Sequence, residues 1–557
     1  MAFGVSAQDL SKIGKGKPFA ITGNVGGGFS FYHSTETMYT QPPLAWNLYG
    51  NFNPTVYNFS FPFSFVLTQY SSSYTTPFAQ FGISPTYKWI KLHLGYRTIN
   101  MSPLVFGGQS FLGVGVELTP GKFRFAAFYG SLNKAISEDT TSGHLAQPQY
   151  GRIGYGFKVG YGTEANHIDL LCFHAKDDSG SIKLINQVAI IHPQENSVVG
   201  ASFKLGFLHQ KIIWTGDLAA SALTRDLSSA KANRDTLTNG LDKLASRFIT
   251  YRNSTSVSYA GQTQVFFYVK SFHTSIGYRR VQPDFNSLGV PYMLNDLQNF
   301  QWNGGLVLNR GRVNLTGSLN DQQTGISGRE ESKFNALTGS FNLGAMLSTH
   351  ANLSVAFTTV NIGQSDGTAH LSDTVRRNEQ VYNISMTPSI NFGSVTAYSN
   401  LSLSLTWSML NDQNPFTSPT DNSNTLTGML AYSCSFTSKS ISVTGSLLYN
   451  RYAQDTNTYS SAGFNVGLGG QLLKAKNLGF QLSAGYLVNH YTLAAVSNNI
   501  TGSANLHYTF HKRHSLAAFF NLVTTPPTSS GVNLQQKVPY AVSTTNLAGG
   551  LSYNYSF

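Results

Sequence analysis

The side chains with the clearest chemical potential are basic residues that alternate with apolar ones. In the segment 91–97, Lys91, His93 and Arg97 alternate with leucine and tyrosine. Successive side chains of a strand point to opposite faces, so the basic groups would share one face. Fixed positive charge on that face would attract anions and discourage cations. The predicted set of such residues is Lys91, His93, Arg97, Lys122, Arg124, Arg152, Lys158, Lys204, Arg279 and Arg312.

Catalytic patterns give no comparable signal. No paired-histidine zinc motif, nucleophile elbow, phosphate loop or calcium loop occurs with the spacing that its chemistry requires. The two cysteines, Cys172 and Cys434, lie far apart in strand-like stretches, which excludes a disulfide framework. We therefore expect no enzyme activity, no metal site and no cofactor.

Composition restricts the class of protein. The 557 residues are 11% charged and 13% aromatic, without a linker or charge block that would divide them. No run of eighteen apolar residues occurs, so no helix could cross a bilayer. A closed β-barrel needs apolar residues only at alternate positions, because its backbone is hydrogen-bonded between strands. A soluble all-β array or solenoid is the alternative, but no fixed-period repeat supports it.

Alternating stretches and their connections predict the fold class. Marking every alternating stretch gives about 26 strands, within a range of about 24 to 26. Tight turns are predicted near Asn53-Pro54, Trp89-Ile90, Pro120-Gly121, Glu164, His209-Gln210, Lys270-Ser271, Arg310-Gly311, Leu347-Ser348, Gly393-Ser394, Ser438-Lys439, Ala475-Lys476 and Lys512-Arg513. Longer loops alternate with them. The prediction is an all-β, up-and-down antiparallel transmembrane barrel over 19–557, with short periplasmic turns, long extracellular loops and both termini in the periplasm.

One segment, 222–254, departs from the strand pattern. Apolar residues recur there at helical spacing, which predicts an amphipathic helix or two helices inserted in an extracellular loop. The apolar positions chosen for this candidate lid helix are Leu223, Leu227, Leu237, Leu241, Leu244 and Phe248. A cap over the outer loops and a constriction folded into the mouth both remain open.

The net charge of +12 does not indicate nucleic acid, because the bases are dispersed and no recognition helix or stacking motif accompanies them. Many lie beside predicted turns, where they would meet lipid phosphates, while loop acids would bind divalent ions among lipopolysaccharides. The partners expected from this distribution are outer-membrane lipids and lipopolysaccharide. The sharper hypothesis is a lumen that prefers anions.

The chain ends on an alternating strand whose outward residues include Leu551, Tyr553, Tyr555 and Phe557. This ending resembles the C-terminal strand that the outer-membrane assembly machinery recognises in Gram-negative barrels. The resemblance implies an outer-membrane location and contact with that machinery during insertion. The segments Gln8-Asp9-Leu10-Ser11-Lys12-Ile13-Gly14 and Phe81-Gly82-Ile83-Ser84-Pro85 also resemble uncharacterised large outer-membrane barrels of Bacteroidota.

The first residues suggest export. Val5-Ser6-Ala7 before Gln8 resembles the end of a secretory cleavage site, so 1–18 is predicted to be a signal-peptide remnant and a periplasmic segment.

The preferred functional hypothesis is a channel or transporter that passes polar solutes through a basic lumen, and its sharper form adds a preference for anionic ones. About 26 strands should not stand open, so loops such as 222–254, a flattened barrel or a protein or lipoprotein partner would have to obstruct it. The alternatives are a sealed surface receptor or scaffold, and the barrel of an export or assembly complex. A lateral seam with weak pairing between the first and last strands would favour the export complex.

Overall fold

The computed structural model describes residues 19–35, 43–56, 59–68, 80–137, 148–182, 191–233, 240–247, 249–374, 376–454, 457–473, 475–492, 496–528 and 542–557. The predicted leader at 1–18 lies outside these residues. Within them, no helix is long and apolar enough to cross a membrane.

The regular structure consists almost entirely of strand segments. The first fourteen are β1 (Phe19–Ser34), β2 (Leu44–Val56), β3 (Phe59–Ser60), β4 (Phe63–Thr68), β5 (Gln80–Ile83), β6 (Thr86–Tyr87), β7 (Ile90–Thr98), β8 (Ser110–Leu118), β9 (Phe123–Asn133), β10 (Arg152–Gly162), β11 (His167–Asp177), β12 (Glu195–Phe207), β13 (Ile212–Thr224) and β14 (Thr255–Val269). The others are β15 (Phe272–Val281), β16 (Leu297–Leu308), β17 (Val313–Thr324), β18 (Ser332–Met346), β19 (Ala351–Asp366), β20 (Asn378–Gly393), β21 (Ala397–Asp412), β22 (Ser423–Phe436), β23 (Ile441–Gln454), β24 (Thr458–Leu472), β25 (Leu478–Tyr491), β26 (Ser497–Phe510), β27 (His514–Thr528) and β28 (Val542–Ser556). Two short helices, α1 (Gly240–Ala245) and α2 (Ser418–Asp421), and a 3-10 turn at Asn309–Gly311 complete the described elements.

The segments form one closed antiparallel sheet. Segments β3 and β4 both pair with β2, and β5 and β6 both pair with β7, so each couple is one interrupted strand. The barrel therefore has 26 strands, as the alternation predicts. An even number of antiparallel strands lets the first and last strands pair antiparallel, which removes the exposed sheet edges.

Closure occurs between β1 and β28. Their register runs without a shift from Asn24↔Ser556 to Ser34↔Asn546. The backbone of Gly23 exchanges two hydrogen bonds with that of Phe557, at 3.1 and 3.0 Å. The Asn24 amide also donates to the Asn554 side chain at 3.0 Å. This seam is paired as continuously as the rest of the wall.

The outer face is apolar. In β10, Ile153, Tyr155, Phe157 and Val159 are exposed, whereas the residues between them face the interior. The same alternation exposes phenylalanine, leucine and tryptophan side chains around the barrel. A closed barrel with such an outer band is the outer-membrane type of transmembrane fold, since lipid would cover the apolar side chains.

Most connections alternate in length. One end carries tight turns such as 88–89, 163–166, 270–271 and 511–513, and the other carries most of the longer loops. The turn predicted at Asn53-Pro54 is wrong, because β2 continues to Val56. Pro54 has no backbone N–H to donate to the sheet, and its carbonyl accepts a hydrogen bond from the Phe61 amide at the interruption between β3 and β4.

The core lies inside one half of the barrel. The loops 99–109 and 282–296 fold inward and pack on the inner faces of β8 to β16. The first contributes Phe106 and the second Phe285, and both side chains are fully buried. We call these two segments the plug loops.

The segment 225–254 does not form the predicted lid within its described residues. Leu223 is the penultimate residue of β13, and Leu227 lies in a turn. The helix is confined to α1, which contains Leu241 and Leu244; Leu237 and Phe248 lie outside the described residues. β13 carries small apolar residues on both of its faces. Apolar positions therefore recur there at helical as well as strand spacing, and the helical pattern extends into the strand.

The helix α1 packs against the outside of the wall. Ala245 and Ile249 are buried with Ala222 and Val257, whose side chains point outward from β13 and β14. Burial and a hydrogen bond with the Asp242 carboxylate raise the pKa of Tyr251 to about 12. The described part of this segment therefore packs on the outside of the barrel wall. The plug loops, and not the described residues of 222–254, occupy the lumen.

Candidate functional site

Strand register assembles one continuous row of side chains across the inner wall. Because the pairings of neighbouring strands connect directly, side chains far apart in the chain become neighbours in the barrel. Inward residues of this row, from β9 to β17, are Arg124, Gly160, Asp169, Ser202, Asp217, Gln262, Arg279, Asn299 and Gln322. We call it the polar row.

An ion pair opens the polar row. The Arg124 guanidinium donates from Nε to Asp169 Oδ1 at 2.8 Å and from an Nη atom to Oδ2 at 3.0 Å. Gly160 lies between these residues in the register, and a Cβ atom there would collide with the Asp169 carboxylate. The glycine thus leaves room for the carboxylate to reach its arginine.

A second charged cluster lies beside it on β7 and β8. Glu117 pairs with Lys91 at 3.1 Å and with His93 Nε2 at 2.7 Å. The His93 side chain is buried, and its other ring nitrogen lies 3.5 Å from the Ser84 hydroxyl. One acid therefore serves two of the predicted basic residues.

Two further predicted arginines are also engaged. Arg152 forms a two-point ion pair with Asp177 at 2.6 and 3.1 Å. Arg97 donates to the Ser64 hydroxyl at 2.8 Å and to the Gly82 carbonyl. These contacts tie neighbouring strands together, so both side chains contribute to the wall as well as to its charge.

The other predicted basic residues differ in position. Lys158, Lys204 and Arg279 point inward without an ion pair among the residues that the structure describes. Lys122 and Arg312 lie in the exposed turns 119–122 and 309–312 instead of on the inner wall. In the sequence, the alternation continues one residue beyond each strand, so the pattern by itself predicts an inward position for both side chains. The expected basic surface is therefore interrupted by acids.

The plug loops cover the wall directly above the polar row. Phe106 packs between Phe128 and Phe173 in tilted ring contacts, with ring centroids 4.2 and 5.4 Å away. Gly289 brings the second loop against this cluster, where a Cβ atom would meet the Phe106 ring at 2.7 Å. Burial of these aromatic surfaces is the main force that would hold the loops inside the barrel.

Hydrogen bonds fix the position of the loops. The buried Asn196 amide donates to the Ser221 hydroxyl at 2.8 Å and accepts the Leu288 backbone amide at 3.0 Å. The Ser287 hydroxyl donates to the Val105 carbonyl at 2.6 Å, which joins the two loops. Asn196 on the wall therefore anchors the second loop, and the second loop in turn holds the first.

A cavity of about 480 Å³ lies between the second plug loop and the wall. Polar residues of five neighbouring strands form its floor, and loop residues around Tyr292 form its roof. Asp217 is bound there by Ser102 and Gln262, each at 2.9 Å. This cavity brings amide side chains, a carboxylate and a guanidinium together in one part of the lumen.

The opposite wall, from β18 to β28, is lined differently. Its inward positions are rich in small polar side chains, most of which are only partly buried. Ser483 and Ser503 bond at 2.7 Å, and Thr427 donates to Asn450 at 2.9 Å. Within the described residues, the buried core that includes both plug loops contains no residue of this wall.

The predicted assembly residues occupy the outer face of β28. Leu551, Tyr553 and Tyr555 are in register with Phe29, Gly27 and Val25 of β1. The Phe557 ring stacks with Phe52 at 5.5 Å. Recognition of this strand by the assembly machinery stays a prediction.

The amides of the polar row are absent from the sequence-based candidates. A signal existed in β16, where Asn299, Gln301 and Asn303 alternate with Phe300 and Trp302. Their assembly with residues of β14 and β17 depends on register, which one strand does not reveal. Among the described residues, no group of three or more His, Cys, Asp or Glu side chains could hold a metal ion.

Comparisons with known proteins return structures of low similarity. No protein-family profile matches the chain. No curated protein matches it either. The predicted resemblance to Bacteroidota barrels therefore stays a prediction.

Three solved structures illustrate the similarity. The P pilus usher PapC translocation pore is 10% identical over 96% of this chain and 99% of its own, at a TM-score of 0.38. The siderophore receptor PirA from Acinetobacter baumannii is 9% identical, with 96% and 80% covered and a TM-score of 0.40. OccAB2 from Acinetobacter baumannii is 10% identical, with 66% and 92% covered and a TM-score of 0.31. At these scores, the similarity says nothing about what this chain binds or moves.

Proposed function

We propose that the protein is an outer-membrane channel that passes polar solutes along the wall β18 to β28. The tight turns and both termini would face the periplasm, and the longer loops would face the cell exterior. The observation that carries the proposal is the polar, partly exposed inner face of that wall, opposite the half filled by the plug loops. A lumen lined by hydroxyls and amides can hold the water that a polar solute needs.

The charge pattern supports modest selectivity. Glu117, Asp169 and Asp177 form ion pairs with four of the predicted inward bases, so part of the predicted positive charge is compensated locally. Lys158, Lys204 and Arg279 retain their charge without a described ion-pair partner. We therefore expect a weak preference for anions.

The test is conductance of the purified protein in planar bilayers under an asymmetric KCl gradient. Stable single-channel steps, with a reversal potential displaced slightly toward that of chloride, are expected. Cation selectivity would contradict the anion preference and leave the channel itself intact. Silence of the wild type would count against transport.

A sealed receptor or scaffold is the second candidate, because an aromatic core packs on the inner faces of β8 to β16. Replacing 283–295 with a short Gly-Ser linker distinguishes the two, since Val281 and Leu297 pair in register and the strand ends are adjacent. A channel should conduct as wild type and conduct more after the replacement, whereas a barrel sealed by its plug loops should be silent as wild type and conduct only after the replacement. The export-complex alternative lacks support because β1 and β28 pair without interruption.

A further inference from the structure

We propose that the cavity beneath the second plug loop binds an acidic sugar, a hydroxyl-rich solute with one carboxylate. This inference rests on the proposed function, for which it names a class of solute. It is carried by the chemistry of the cavity floor, the unpaired cation within it and the shape of its roof.

The floor consists of two adjacent register rows. Beside the polar row lies a second row with Gln264 on β14, Gln301 on β16 and Asn320 on β17. Neighbouring strands are about 4.8 Å apart, so amides on adjacent strands can reach different hydroxyls of one sugar ring. Gly277 lies between Gln264 and Gln301, and the Gln301 side chain occupies the space above it.

Several amide groups remain available to a ligand. Gln262 donates one hydrogen to Asp217 at 2.9 Å, and Asn299 donates one to Asn320 at 2.7 Å. Gln301 and Gln322 make no side-chain hydrogen bond within the described residues. Each amide offers two donors and an acceptor carbonyl, so these rows can both donate to and accept from hydroxyl groups.

Arg279 supplies the charge. Its Nε is buried and has no hydrogen-bond partner among the described residues. The nearer of the two acids in the row, Asp217, is two strands away, or about 10 Å, and is already bound by Ser102 and Gln262. A carboxylate would satisfy the planar donors of the guanidinium with two parallel hydrogen bonds.

The roof supplies a flat apolar surface. Tyr292 lines the cavity and is 96% exposed, next to the partly buried Met293. An aromatic ring can cover the C–H face of a sugar while the hydroxyls at its rim bond to the amides. The cavity volume of about 480 Å³ falls within the range of small-molecule sites.

Simpler ligands fit less well. A neutral sugar would leave Arg279 without its carboxylate, and a simple carboxylate would leave the amide rows unsatisfied. Sites built for hydrogen bonding discriminate against ligands that leave buried polar groups unpaired. The combination therefore favours an acid group and several hydroxyls in the same solute.

The test is saturation-transfer NMR on the purified barrel in detergent, with glucuronate, glucose and acetate as probes. Wild type should bind glucuronate more tightly than glucose and acetate. Arg279→Gln should lower glucuronate affinity about tenfold or more and alter glucose affinity less than about threefold. Arg279→Lys should keep part of the preference for the acid. Arg513→Gln makes the same change in an exposed turn and should alter neither affinity.

Equal binding of acetate and glucuronate, or no binding of glucuronate, would overturn the proposal. The three-probe comparison on wild type decides this even when a variant does not fold. Conductance separates the two proposals: conduction without glucuronate binding leaves the channel standing and removes this site. Binding without conduction leaves a glycan site in a sealed barrel.

Discussion

Truncation of Phe106 should release both plug loops. Its side chain is 0% exposed and packs between Phe128 and Phe173. Gly289 of the second loop closes over the same ring. Phe106→Ala therefore removes the residue on which the two loops converge, while the strand pairing of the wall stays intact.

The magnitude follows from burial. Replacing a fully buried phenylalanine with alanine costs about 3–5 kcal/mol, and the lower end applies because a loop can partly collapse into the space. A loss of about 3 kcal/mol in docking free energy raises the undocked population about 100-fold. Part of the lumen near the plug loops should then open more often.

The assay is hydrogen exchange of peptides from 99–109 and 282–296, together with single-channel recording. Exchange in both loops should accelerate by up to about 100-fold, because exchange of a docked loop proceeds through its undocked state. Conductance should rise or flicker between levels. Peptides from β22 to β26 should exchange as in wild type.

The matched control is Phe416→Ala. Phe416 is 62% exposed in the connection between β21 and β22, so the same change should alter neither exchange nor conductance. If Phe106→Ala folds but leaves exchange of both loops unchanged, burial of this ring does not hold the plug. Faster exchange in the first loop alone would refute its coupling to the second.

Three other predictions concern the lumen and its surroundings. Replacing 233–250 with a short linker should leave conductance unchanged, because α1 packs outside the wall. An increase in conductance would instead support the hypothesis that this segment obstructs the lumen. Asp169→Asn should shift the reversal potential toward that of chloride, because the charge of Arg124 is then uncompensated. Asp421→Asn, in the short helix α2, should change the reversal potential little. Asn196→Ala should weaken docking of 282–296 by about 1–3 kcal/mol, and exchange of that loop would fail to accelerate if its hydrogen bonds were dispensable.

The amino-acid sequence by itself was almost sufficient to predict the barrel. Alternation separates an apolar from a polar face within each strand, and short and long connections set the antiparallel order. The segments around Lys91, Arg152 and Lys158 carry this pattern without reference to distant residues. Strand number and the outward face of β28 were therefore predictable, because both depend on local periodicity.

Tertiary structure decided what the lumen contains. Arg124 meets Asp169 only through the register of three strands, and the same register leaves Arg279 without an ion-pair partner among the described residues. An amphipathic pattern predicts that one face of 222–254 is buried, but it does not predict whether that face packs inside or outside the barrel wall. Charge compensation and loop docking join residues remote in sequence, so local periodicity does not encode them, and only the closed barrel brings their partners within contact distance.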